Sequence, residues 1–194
     1  MSRPSTHKSD PERMRALTHP LRLELLDYLR DVREATATEC AAQVGESVAS
    51  CSFHLRTLGK YGFLERAERR GKEKPWRIVD LGPRVEAQVD PGVPGSIDAV
   101  QELAALIFSR DVDRVFRFLA QVVDEPQEWV DASTLVTSSF WATAEEMAEV
   151  SEQLQHLRER FAGRVADPAA RPAGARRARL LATVNPDPEP KEAH

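Results

Sequence analysis

The sequence predicts a mainly α fold with small β elements (α+β), split into an N-terminal and a C-terminal part. Two observations predict it. Apolar residues recur at helical spacing in six stretches bounded by capping or turn residues, against four short strand-like segments. A stretch rich in proline and glycine, carrying Gly82, Pro83, Pro91, Gly92, Pro94 and Gly95, then interrupts the pattern near the middle of the chain.

Residues 1–10 read as a flexible tail without an apolar core of the secretory type. Pro11 opens a short helix through Leu17, and Pro20 starts the next, whose Leu21, Leu25, Tyr28 and Leu29 share one face. Thr36 and Glu39 have the capping-box spacing of a third helix, which ends at Gly45. Ser47 or Glu46 caps a fourth, running to about Lys60 and stopped by Gly62. Two strand-like pieces follow, 63–67 and 75–80, on either side of a charged tip at 68–74 that contains Gly71. Helix, tight turn, helix and then a basic hairpin make a winged helix-turn-helix over 11–82.

Residues 83–95 read as a linker, and 96–186 as a second, mainly helical region for dimerisation and effector binding. Ser96 is expected to cap a long amphipathic helix to about Val123. Val100, Leu103, Ile107, Phe116 and Leu119 on that helix are the expected dimer contacts. Segment 133–141 reads as a strand, Thr143 and Glu146 as a second capping box, and 179–184 as a strand able to pair with 133–141. Together they predict a small strand–helix–strand unit. Residues 187–194 read as a second flexible tail.

Charge distribution supports a polyanionic partner although the net charge is −4. Between Phe53 and Ile78 eight basic residues face three acidic ones, leaving the remainder of the chain at −9. A basic patch on an acidic body suits a DNA-binding module attached to another domain. On the fourth helix, Cys51, Leu55 and Leu58 fall on one side, and Phe53, Arg56 and Lys60 on the other. Small residues at its start, Ser50 and Ser52, permit close approach to base edges, while Arg56 and Lys60 suit phosphates. Phe53 has two readings: contact with a thymine methyl or sugar, or burial against the wing or a dimer partner. His54 either donates to a phosphate or is a half-buried structural histidine. On the hairpin, Arg69, Arg70, Lys72 and Lys74 are the expected backbone or minor-groove contacts.

Ala16-Leu17-Thr18-His19-Pro20-Leu21-Arg22-Leu23, Thr38 to Gly45 and Ser52 to Leu58, in that order, resemble the ArsR-like family of bacterial winged-helix regulators. Gly62-Phe63-Leu64-Glu65 and the basic wing fit as well. The resemblance spans about 11–80. It implies a homodimer that binds operator DNA, usually as a repressor, and releases it when an effector binds. One departure concerns metals. Arsenic- and cadmium-sensing relatives carry Cys-x-Cys where this chain has Thr36 and Thr38, and Cys40 stands where leucine is usual.

No metal and no other cofactor is therefore expected, and Asp111 and Asp113 are read as facing solvent. Only two cysteines and no long apolar run predict a cytoplasmic chain without membrane contact. Neither a dinucleotide-binding fingerprint, a P-loop nor a nucleophile elbow is present, so no enzyme is expected. The expected partners are operator DNA, a second copy and an unidentified small-molecule effector. The alternative is a winged helix used for protein contact without DNA specificity.

Overall fold

The structure is a computed structural model that describes residues 10–71, 73–79 and 90–188. Two compact units, 1–115 and 116–194, divide inside one long helix.

In the first unit α1 (Pro11–Arg15) and α2 (Pro20–Val32) lead into β1 (Glu34–Ala35), α3 (Ala37–Val44), α4 (Val48–Lys60), β2 (Leu64–Arg66) and β3 (Trp76–Ile78). The helix starts follow from local chemistry. Asp10 accepts from the Glu12 and Arg13 amides, and the His19 imidazole accepts from the Leu21 amide. Thr36 and Glu39 form the expected capping box, with bonds of 3.2 and 2.8 Å. Of the two candidates for the α4 cap, Ser47 holds the Ser50 amide at 3.1 Å. At the other end of α4, Gly62 takes a left-handed conformation and the Phe63 amide reaches back to the Leu58 carbonyl at 3.0 Å. That bond closes a Schellman motif and turns the chain into β2.

The three strands lie in the order β1-β3-β2, both pairs antiparallel, with Ala35 and Arg66 opposite Trp76. The sequence does not announce β1. Two residues carry no period, and the strand exists because Arg33, at φ 75°, turns the chain sharply after α2. A positive φ at a non-glycine residue costs free energy that the neighbouring helix and sheet must offset.

The core gathers Leu25 and Leu29 of α2, Cys40 of α3, Cys51, Leu55 and Leu58 of α4, and Trp76 of β3. Ala99 and Leu103, from the long helix α5 (Ser96–Gln121), belong to the same core. Arg110 of α5 donates to Asp27 of α2 at 3.3 Å, with both side chains largely withdrawn from water. Asp111, expected to face solvent, is only 6% exposed and accepts from Arg114 at 3.3 Å. Helical period explains this: Asp111 lies four residues beyond Ile107, which packs on the core. Ser96 does not act as an N-cap. It is already helical and buried, and its hydroxyl accepts from the Asp90 amide. Of the expected linker, 83–89 lies outside the described residues.

The second unit contains the end of α5, α6 (Gln127–Asp131), α7 (Ala144–Glu159) and α8 (Ala162–Ala166), with 3-10 turns at Val122–Asp124 and Pro168–Ala170. The capping box of α7 forms as expected, Thr143 accepting at 3.2 Å and Glu146 at 2.7 Å. The flanking strands do not form among the described residues: neither 133–141 nor 179–184 lies alongside a second strand there. Arg176 makes a bidentate pair with Glu125, at 2.6 and 2.9 Å, and lies over the Trp129 ring.

Gly59 supplies a test of packing. A Cβ there would come within 2.7 Å of the Trp76 ring, which Arg66 covers from another side at 3.7 Å. Gly59→Ala is expected to destabilise the protein by about 1–3 kcal/mol through overpacking, despite the better helix propensity of alanine. Urea unfolding measures this, and an unchanged or higher midpoint contradicts it.

Candidate nucleic-acid interface

Helix α4 has two opposed faces. Cys51, Leu55 and Leu58 are fully enclosed, and Phe53, Arg56 and Lys60 project outward. Phe53 is 60% exposed, so the described part of the hairpin leaves it open, and its ring lies edge to face with His54, centroids 5.2 Å apart. Ser50 and Ser52 are half-buried at the start of the helix. Arg56 donates through Nε to the Ser52 carbonyl at 3.1 Å, which lays its guanidinium along the helix.

His54 lies half-buried against His19, with ring centroids 4.3 Å apart, and its Nδ1 has no hydrogen-bond partner among the described residues. Burial, reinforced by the nearby His19 and Arg22, pushes its pKa below the ordinary histidine value.

The hairpin is anchored rather than free. Arg70 and Glu73 form an isolated antiparallel bridge around Gly71. Arg70 is paired with Glu39 of the α3 capping box, and the Thr38 hydroxyl donates to Glu73 at 3.2 Å. The Thr36 amide and the Arg70 guanidinium together hold the Glu39 carboxyl below the usual glutamate range. Arg69 and Lys74 are exposed; Lys72 lies outside the described residues. Arg66, which the sequence did not single out, donates to the Lys74 carbonyl at 2.6 Å and fixes the base of the hairpin.

The five residues expected at a dimer contact separate. Leu103 is enclosed by its own chain and has no surface left for a second copy. Val100 and Ile107 are half-buried against the same core, while Phe116 and Leu119 are exposed. No group of acidic, histidine and cysteine side chains able to hold a metal occurs among the described residues. No helix among them is long and apolar enough to cross a membrane.

Residues 17–67 match the helix-turn-helix domain family, which covers the segment from the end of α1 through β2. With the hairpin and its three-stranded sheet, that segment is a winged helix-turn-helix. Among solved structures, the chain is similar to a homodimeric winged helix-turn-helix DNA-binding domain from Mycobacterium bovis, described as a possible ArsR-family transcriptional regulator. Identity is 22% and the TM-score 0.34, over 57% of this chain and 91% of that one. A second is a transcriptional regulator homologue from Pyrococcus horikoshii OT3, at 18% identity and TM-score 0.34, over 50% of this chain and 86% of that one. No curated protein matches the chain.

Two predictions concern groups buried beneath this surface. Burial pushes the Cys40 thiol up to about 12 and raises that of Cys51 as well. Neither is expected to react with a thiol reagent at pH 8 until the protein unfolds. A native-state titration that counts even one thiol contradicts this. His54 binds a proton more readily unfolded than folded, so acidification through about pH 6.5 should lower the melting temperature. His54→Gln should reduce that pH dependence, and an unaltered slope of melting temperature against pH overturns the assignment.

Proposed function

We propose that the chain is a sequence-specific DNA-binding transcription regulator of the ArsR-like type, working in the cytoplasm as a homodimeric repressor. One observation carries the reading: α4 is clamped by an apolar face and turns Phe53, Arg56 and Lys60 outward, with Arg69 and Lys74 exposed on the adjoining hairpin. Helix α4 enters the major groove, where Ser50, Ser52 and Phe53 meet base edges and Arg56 and Lys60 meet phosphates. His54 supports the helix from behind. The wing reaches the flanking backbone or minor groove.

A two-fold dimer brings two such helices about 34–36 Å apart, which calls for an imperfect inverted repeat as operator. Of the five α5 residues expected at the dimer contact, Phe116 and Leu119 have apolar surface to give to a second copy, and Phe108 and Val112 on the same helix are exposed as well. Release by a small-molecule effector follows from the family resemblance. The chain is a regulator and not a catalyst. A protein-contact module has no need of cations on both α4 and the hairpin.

Arg56→Ala is expected to weaken binding to all DNA sequences and to lower the salt dependence by about one unit. Mobility shifts in a salt titration measure both, and an unaltered slope removes Arg56 from the phosphate contacts. Substitution of Ser52 or Phe53 by alanine is instead expected to shift sequence preference by about 1–3 kcal/mol at a base pair. Selection from randomised DNA that returns the same site for both variants ends their assignment as reading residues.

A further inference from the structure

The hairpin meets α4 through one packed ring. Gly59 faces Trp76 so closely that an added Cβ would lie 2.7 Å from the ring. Arg66 is the cross-strand partner of Trp76, and its guanidinium lies over that ring, 3.7 Å from the centroid. Its Nη1 also donates to the Lys74 carbonyl at 2.6 Å. A planar cation stacked on an aromatic face and tied to a backbone oxygen is held in place before any partner arrives. The Lys74 oxygen carries no net charge and takes one N–H, so the positive charge and most of the donors of Arg66 are left over.

Arg56 comes to the same place from the helix. It precedes Gly59 by one turn of α4, so it projects from the flank that receives Trp76. Its bond to the Ser52 carbonyl fixes the side chain and, again, leaves the charge uncancelled. Both arginines are exposed, and neither belongs to an ion pair among the described residues. Glu65, the neighbour of Arg66 in β2, points to the other face of the sheet and accepts from Arg77 at 2.7 Å. Partial desolvation, and after it the charge of Arg56, lower the Arg66 pKa from its ordinary value. Two guanidinium groups that feel one another, with no carboxylate paired to either, make a site for an anion.

The shape of the duplex says which anion. A helix with its side chains is about 10–12 Å across and the major groove about 12 Å wide, so a helix inside it has sugar-phosphate backbone along both flanks. The hairpin adjoins one flank of α4 through Trp76 and Gly59. The backbone that bounds the groove on that side must pass through the angle between helix and hairpin. Arg56 and Arg66 stand in that angle, and the fork of an arginine suits phosphate oxygens.

We propose that Arg56 and Arg66 clamp a single phosphodiester of the DNA backbone between α4 and the hairpin, and so set the register at which α4 sits in the groove. The proposal rests on the DNA-binding reading given above and adds Arg66 to its contact residues. Arg66 touches the duplex itself, while Trp76 and the Lys74 carbonyl position it. A clamp on phosphate reads no base; it acts on specificity by fixing where Ser52 and Phe53 meet the base edges.

Methylphosphonate scanning tests it: phosphates are replaced one at a time by a neutral group in a duplex that the full chain selects from randomised DNA. At the clamped phosphate the replacement should weaken binding of the wild-type chain about tenfold, and that of Arg56→Ala or Arg66→Gln about threefold or less. Each comparison sets modified against unmodified duplex with the same protein, so a variant whose hairpin is loosened still reports it. Arg66→Lys keeps the charge and should recover most of the wild-type penalty at that phosphate. The double variant should lose less affinity than the product of the two single losses, because both side chains hold one group. An Arg66→Gln protein with the wild-type penalty at every phosphate overturns the clamp and leaves DNA binding standing. Penalties that Arg56→Ala and Arg66→Gln remove at different phosphates overturn it as well, since the two residues then act apart. A wild-type chain that selects no duplex removes the clamp and the DNA-binding reading together.

Discussion

Burial of one side of α4 is the constraint on which the remainder of the first unit depends. Cys51, Leu55 and Leu58 fix the rotation of the helix about its axis, and each is sealed by α2, α3 and the sheet. Once that rotation is set, period alone dictates which residues look outward. No special interaction is needed to present Phe53, Arg56 and Lys60; they are what remains. Gly59 completes the arrangement by letting the Trp76 ring sit against the helix, so that the hairpin is seated on the end of α4 and not merely attached through a loop.

A second constraint ties this module to the helix that follows. Ala99 and Leu103 enter the same core, and the Asp27–Arg110 pair joins α2 to α5 in a setting largely removed from water. Loss of Arg110 takes one compensating charge away from the largely buried Asp27 carboxylate. A perturbation of α5 therefore reaches the core behind α4 through packed side chains and one ion pair. The division of the chain inside α5, not before it, has the same origin.

Much of this was legible in the sequence because the signals were local. Capping boxes at Thr36 and Thr143, the left-handed Gly45 and the apolar stripe of α4 each depend on residues within a few positions of one another. What escaped notice depends on distant residues. The two-residue strand β1 is defined by its partner β3, Asp111 is buried by α5 lying on the core, and the Glu39–Arg70 pair joins positions 31 apart. The expected strands at 133–141 and 179–184 fail for the same reason in reverse. Their composition is right, but a strand needs a neighbour, and composition does not say where the neighbour comes from.

The contact between Arg70 and the capping carboxylate alters how the hairpin's charge should be counted. A guanidinium already neutralised at home contributes little to the long-range field that draws a polyanion in, so encounter is governed by the cations left unpaired. Should the duplex take Arg70 for itself, the side chain exchanges one anion for another, and only the difference between two ionic contacts enters the affinity. Glu39, relieved of its partner, would then face the nucleic acid as a bare negative charge at the start of α3. The tip of the wing is accordingly a place where tight binding and faithful folding draw on the same residue.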